Sequence, residues 1–433
     1  MEKIMHYVWQ FALWGGPSLT TTDGRRITVL DRGQYNNAAG PDFFNAKISL
    51  DNRTWAGNVE MHVNASDWHR HHHDRDPAYD NVILHIVQHD DDTITGADGQ
   101  PIPQVVMRCS PTFVDSYNAF LNAPAGALAC SAGLPHIPPI IITDWVTSLG
   151  IRRLQRRADA ILDMVDKFDG DWARAIFVTL ARGLGFGTNA QPMEQLAMSI
   201  PIKLLLKHRD NNITTPALLF GRAGFLDDRD NDPLRRDPYY TALAKEYTFR
   251  CHAHELKPIT RPQWKATTRP ANSPIRRVAL LAEMMTRGFD QQSLILSIQT
   301  IDQARALFAV DIPEYWRTHH DFGHQSARIT EFLGKTSIDL LIINVVAPIL
   351  YAHADQTDND RMRDTAIALL HAIRPEQNSI ITTFNNAGIP TRDAFDTQAI
   401  IELRREYCDK RKCLFCRLGH RLLSRAATLP PRH

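Results

Sequence analysis

Ala39-Gly40-Pro41-Asp42-Phe43-Phe44-Asn45-Ala46-Lys47-Ile48-Ser49-Leu50 is followed by Gly57-Asn58-Val59-Glu60-Met61-His62-Val63 and then by Asn81-Val82-Ile83-Leu84-His85-Ile86-Val87. In the first run Phe44, Ala46, Ile48 and Leu50 alternate with Asn45, Lys47 and Ser49, the period of a half-buried strand. Asp51-Asn52 turns the chain, so the second run forms the neighbouring strand. The third run is almost wholly apolar, as expected of a strand covered on both faces. Asp42 then stands at the start of one strand. Glu60 and His62, two apart on the next, share a face.

Working outward, Lys3 to Leu13 reads as a short helix and Leu19 to Leu30 as a hairpin turning at Asp23-Gly24. Gln104 to Arg108 reads as a last strand. Pro124, Gly126, Gly133, Pro135, Pro138 and Pro139 punctuate a linker. Beyond it the period changes to that of helices, expected at 143–167, 172–184, 193–208, 275–287, 325–351, 360–373 and 397–425. The reading is a mixed α/β sheet domain over 1–122 and a linker over 123–142. A mainly α-helical domain follows over 143–400, then a basic, cysteine-rich helical module over 401–433.

The 433 residues are 43% hydrophobic and 22% charged, which excludes a wholly disordered, collagenous or coiled-coil chain. A formal charge of +1 gives no overall affinity for polyanions, but charge is unevenly placed. Arg152 and Arg156 lie on one helix, and no acid occurs between Pro258 and Ala282, where Arg269, Arg276 and Arg277 lie. From Arg404 onward nine Lys/Arg, Lys412 among them, face two acids. These stretches are the expected contacts to a phosphate backbone of DNA or RNA. The longest apolar stretch, Leu340 to Ala352, falls short of the roughly 20 residues of a membrane span. No hydrophobic leader is visible at the start, so the expected location is the cytoplasm.

Carboxylates on neighbouring strands, Asp42 and Glu60, can hold one hard cation, Mg²⁺ or Mn²⁺, through oxygen. Such an ion activates water and neutralises charge on a phosphoryl group. Pro41-Asp42, followed 18 residues later by Glu60-Met61-His62, resembles the PD-(D/E)XK nuclease superfamily. The resemblance implies an α/β nuclease core, metal ligation by Asp42 and Glu60, and His62 in place of the family's lysine. Lys47 is the candidate for a displaced lysine, and Glu2 for an extra acidic ligand. The runs AGPDFFNAKI, GNVEMHV, SDWHRHHHD, YDNVILHIV, LLFGRAGFL and YCDKRKCLFC also resemble, over nearly the full length, an uncharacterised bacterial family known only as a domain of unknown function.

Seven of the 19 histidines fall between His62 and His89, and the pairs His69/His71 and His71/His73 have the spacing to offer two imidazoles on one side. Such a loop suits zinc or manganese. Near the C-terminus Cys408, Cys413, Cys416 and His420 have spacings that close around Zn²⁺. The three cysteines could equally hold an iron–sulfur cluster with a remote fourth ligand, Cys251, Cys130 or Cys109. The expected activity is metal-dependent hydrolysis of nucleic-acid phosphodiesters. Two alternatives are a non-catalytic nucleic-acid-binding protein with a degenerate site and a zinc-dependent hydrolase of small molecules using the histidine loop.

Overall fold

The structure, a computed structural model, describes residues 1–226, 237–256, 264–265, 273–326 and 333–428. It divides into two compact units. The first comprises Met1–Trp145, Thr383–Ile389 and Leu403–His433, so the C-terminal cysteines belong with the N-terminal sheet. The second comprises Val146–Thr382 and Pro390–Glu402.

The first unit opens with helix α1 (Glu2–Gln10), whose buried face is Ile4, Met5, Tyr7, Val8 and Trp9. Strands follow as β1 (Leu19–Thr20), β2 (Arg26–Asp31), β3 (Gln34–Tyr35), β4 (Phe43–Leu50), β5 (Arg53–Asn64), β6 (Val82–His89) and β7 (Gln104–Val106). They form one sheet in the order β1-β2-β4-β5-β6-β7, with β3 on β4. The β2, β4 and β5 pairings are antiparallel, and β5 to β6 to β7 is parallel. Asp51 and Asn52 both take positive φ, 52° and 59°, the requirement of a two-residue turn of type I′ between β4 and β5.

Two irregularities position the site. In β4 the register slips between Phe43 and Ala46, and Asn45 has φ 57°. This bulge inverts the alternation expected there: Phe43 is buried and Phe44 only half-buried. Phe43 pairs with Val59, so Asp42 comes beside Glu60. The crossover between the parallel strands β5 and β6 is short. It holds only helix α2 (Asp67–Arg70) and two tight turns, His73–Arg75 and Pro77–Tyr79.

The sheet is covered on both faces. Val59, Met61, Leu84 and Ile86 join α1, Phe113 and Tyr117 of helix α3 (Pro111–Leu121), and Leu414 and Leu423 in the main core. The intervening residues Glu60, His62 and His85 point to the other side. There the crossover contributes Trp68 and Tyr79 to a small cluster with Val82, Ile94 and Ile102.

Helix α4 (Pro139–Lys167) starts inside the expected linker. The expected helix 193–208 breaks before Pro201 into Ala190–Met198 and Ile202–Lys207. The expected 397–425 helix is likewise two, Ala394–Glu402 with a π turn to Cys408, and Arg417–Thr428. Helices Pro111–Leu121, Thr214–Arg222 and Pro238–Ala253 were not expected. Lys335–Thr357 is long and apolar enough to cross a membrane by composition, and 72% of its most apolar window is buried inside the protein.

Candidate metal centre

Glu60 is 5% exposed and His62 2% exposed, and each carboxylate oxygen of Glu60 has its own surroundings. Oε2 accepts the backbone N–H of Asp42 at 3.0 Å. Oε1 lies 3.6 Å from His62 Nε2 and 3.4 Å from His73 Nε2. Neither approach makes a hydrogen bond; the atoms converge on a point between them. Two ligands each about 2.1 Å from a tetrahedral ion lie about 3.4 Å apart, which is the spacing seen. One ring nitrogen from each of His62, His71 and His73 lies within 4.8 Å of the others, a three-histidine set that shares His62 and His73 with the Glu60 contacts.

A chain of hydrogen bonds fixes which nitrogen His62 presents. Gln104 Nε2 donates to Asp90 Oδ1 at 2.5 Å and to the Asp92 carbonyl at 3.0 Å, so its Oε1 faces His85 Nδ1 at 2.9 Å as acceptor. His85 Nδ1 must then carry the proton, and its bare Nε2 accepts from His62 Nδ1 at 2.9 Å. That leaves the lone pair of His62 Nε2 toward Glu60, the second-sphere arrangement that orients ligating histidines.

Burial governs the electrostatics of the site. Burial, with the Asp42 charge beside it, pushes the Glu60 carboxyl up to about 9. Burial and the imidazoles of His85, His73 and His71 hold His62 down at about 2. Burial holds His85 at about 4 against the pull of its Gln104 bond, and lowers His73 as well. His62, His73 and His85 are therefore neutral imidazoles at neutral pH. Tyr79, stacked on His73 at 3.8 Å between ring centroids, fixes that ring.

Asp42 belongs to a second group. Its Oδ2 accepts the Met61 N–H at 3.0 Å and lies 3.1 Å from His6 Nε2. Ligand atoms of Glu2, His6 and Asp42 all fall within 4.8 Å of one another. Both ring nitrogens of His6 are buried without a hydrogen-bond partner among the described residues. Glu2 and His6 are four apart on α1, one turn of one face. That spacing was the available signal for His6, which the motif reading missed. Beside them lies a pocket of about 320 Å³ whose lining includes Lys3, His6, Tyr35, Lys410, Arg411 and Lys412.

Other residues singled out from sequence are placed differently. Lys47 is exposed and pairs with Ala56, four residues from Glu60, or roughly 13 Å along a strand. It does not reach the site. His62 bonds to His85 instead of standing where a free lysine would. Arg152 is exposed, but Arg156 pairs with the buried Glu402 at 2.6 Å. Arg276 and Arg277 are buried at 2% and 7% exposure, and Arg277 stacks on Phe186, so neither presents a surface to nucleic acid. Arg269 lies outside the described residues. Cys408, Cys413 and Cys416 come together, but His420 does not join them: its Nδ1 bonds the Tyr7 hydroxyl at 2.5 Å.

Residues 2–379 match the family described as Protein of unknown function (DUF2851). The chain belongs to that family. No curated protein and no solved structure matches it. The matched span holds every residue of the Glu60 and Asp42 groups and the Gln104 relay, whereas Cys408, Cys413 and Cys416 lie past its end.

Proposed function

We propose that the first unit is a metal-dependent hydrolase of nucleic-acid phosphodiesters. The observation that carries the reading is the convergence of Glu60 Oε1 with His62 Nε2 at 3.6 Å and His73 Nε2 at 3.4 Å beside the Asp42 group. Nitrogen ligands shift the favoured ion from Mg²⁺ toward Mn²⁺ or Zn²⁺. When bound, such an ion supplies a lowered water pKa and charge neutralisation at phosphorus. Glu60, His62, His71 and His73 would hold it. His85, Gln104 and Asp90 keep His62 in its ligating tautomer. His6, 3.1 Å from Asp42, would join Asp42 and Glu2 in the neighbouring group. Lys3, Lys410 and Lys412 line the neighbouring pocket and would seat the phosphates. The order of helix, three antiparallel strands, short crossover and parallel strand, with Asp42 and Glu60 on adjacent strands, supports a core like that of the PD-(D/E)XK nucleases.

A second reading, a zinc hydrolase of small molecules, is favoured by the His62, His71, His73 cluster, since three histidines with an open position are a catalytic zinc set. Labelled single- and double-stranded DNA and RNA, incubated with Mn²⁺, Zn²⁺ or EDTA, test both. The nuclease reading expects metal-dependent cleavage that Glu60→Gln and His62→Ala abolish and that Lys410→Ala with Lys412→Ala weakens. Cleavage of a small aryl phosphodiester that ignores the lysine pair, with nucleic acids left intact, would establish the second reading. Binding without cleavage under any metal overturns both and leaves a nucleic-acid adaptor.

A further inference from the structure

We infer that Cys130, Cys408, Cys413 and Cys416 form a four-thiolate site for an iron–sulfur cluster, independent of the Glu60 centre. All four side chains line one small pocket. None is in a disulfide. Each of the six pairs among them is close enough for one thiolate to oppose ionisation of the other. Cys130, and not His420, shares that pocket with the other three cysteines.

The surroundings are constructed around that group. Cys130 comes from a loop 278 residues upstream of Cys408, and two arginines fasten that loop to the cysteine segment. Arg404 donates to the Gly126 carbonyl at 2.9 Å, and Arg411 donates to the carbonyls of Phe120, at 3.3 Å, and Ala123. Gly419 lets the terminal helix Arg417–Thr428 close over the site, for a Cβ there would stand 2.2 Å from the Cys413 carbonyl oxygen. Backbone N–H groups of Leu418 and Gly419 and the Trp145 side chain point at the Cys416 sulfur. Such N–H donors toward sulfur stabilise a thiolate and tune a cluster. Burial pushes Cys130 up to about 12, and burial raises the other three as well, so without iron these are inert thiols.

Spacing separates a cluster from a single zinc ion. Four sulfurs about 2.3 Å from one tetrahedral ion lie about 3.8 Å apart. Among the described residues the groups of three or more ligand atoms within 4.8 Å are the two histidine-containing sets, and neither includes a cysteine. No three of the four sulfurs therefore all lie within 4.8 Å of one another, a wider arrangement than one tetrahedral zinc sets.

The test uses the full chain, purified under argon and reconstituted with ferrous and ferric iron and sulfide. Iron and acid-labile sulfide should appear in equal amounts, roughly two to four of each per chain, with visible absorption that dithionite bleaches. Cys130→Ser and Cys408→Ser should lose that iron. His420→Ala and Cys251→Ser should retain it. Because a cysteine variant can fail to fold, a second measurement uses the unmutated chain. Alkylation mapped by mass spectrometry should show Cys130, Cys408, Cys413 and Cys416 protected together on loading, with Cys251 labelled in both states. Iron retained by Cys130→Ser, iron lost by His420→Ala, or Cys130 unprotected in the loaded chain overturns the ligand set. One zinc per chain in place of iron, or no metal at all, overturns the cluster.

Discussion

Replacing Glu60 by Gln keeps the shape of the side chain and an oxygen to accept the Asp42 N–H, but removes the ionisation. In the metal-free protein the folded Glu60 carboxyl holds its proton up to about 9, against 4.5 in an ordinary environment. Between those values the folded state binds one more proton than the unfolded state, so stability falls as pH rises. At pH 7 the gap is 2.5 units, which at about 1.4 kcal/mol per unit amounts to about 3 kcal/mol lost. His62 and His85 act in the opposite sense. Their folded values, about 2 and about 4, lie below 6.5, so their contribution is fully present above 6.5 and is lost as pH falls. Metal-free wild type should therefore weaken on both sides of about pH 6.5, and Glu60→Gln should lose only the alkaline limb. In EDTA at pH 7 the variant should be more stable than wild type by about 3 kcal/mol. Mn²⁺ at about 100 times its Kd should add about 2.7 kcal/mol to wild type and little to the variant. Urea titrations between pH 5 and 8, followed by tryptophan fluorescence, measure both, because Trp68 sits 5.5 Å from His73. An alkaline limb that persists in Glu60→Gln refutes the buried proton. Equal stabilisation of both proteins by Mn²⁺ refutes Glu60 as a ligand.

Gly57→Ala would put a Cβ 2.4 Å from Ile83 Cγ2 and 2.5 Å from the Asn81 carbonyl, where β6 begins to pair with β5. It should cost at least about 2 kcal/mol in a urea midpoint and weaken Mn²⁺ binding, since His85 is aligned by that pairing. Arg156→Ala should leave nucleic-acid affinity unchanged, because Arg156 is committed to Glu402. Lys412→Ala should instead lower affinity across sequences and reduce the slope of log K against log salt by about 1, read by fluorescence anisotropy at several salt concentrations.

The strands and the Asp42–Glu60 juxtaposition were legible because both depend on local pattern. Period-2 alternation, an Asp-Asn turn and neighbouring strands need no long-range information. The bulge at Asn45 was not legible: nothing in a single strand's pattern announces one extra residue, and it reversed Phe43 and Phe44. The basic stretches misled for a related reason. Charge runs count residues, not faces, and Arg276 and Arg277 lie on a helix buried nearly all round. Cys130 could be named only as one of three remote cysteines, because its partners stand 278 and more residues away and no spacing rule spans such a distance. His420 met the spacing rule and failed, since the turn of the terminal helix carries it to Tyr7.

The histidine loop shows why composition and topology must be read together. Parallel strands cannot be joined by a tight turn, so β5 and β6 need a crossover, usually a helix that covers the sheet with apolar residues. Residues 65–81 are too few and too polar for that. Only Trp68 and Tyr79 anchor the segment in the small core. Between these anchors the chain carries His71 and His73, and Tyr79 stacks on His73. The sheet face below, covered by that small cluster alone, is where Glu60, His62 and His85 point. Buried polar groups on such a face are costly unless each finds a partner. The relay through Gln104 satisfies His85 and one nitrogen of His62. Glu60 Oε1 faces the inward nitrogens of His62 and His73 at 3.6 and 3.4 Å, and the candidate cation position lies among them. The same crossover that is too short to build a core thus becomes the second wall of the candidate metal centre.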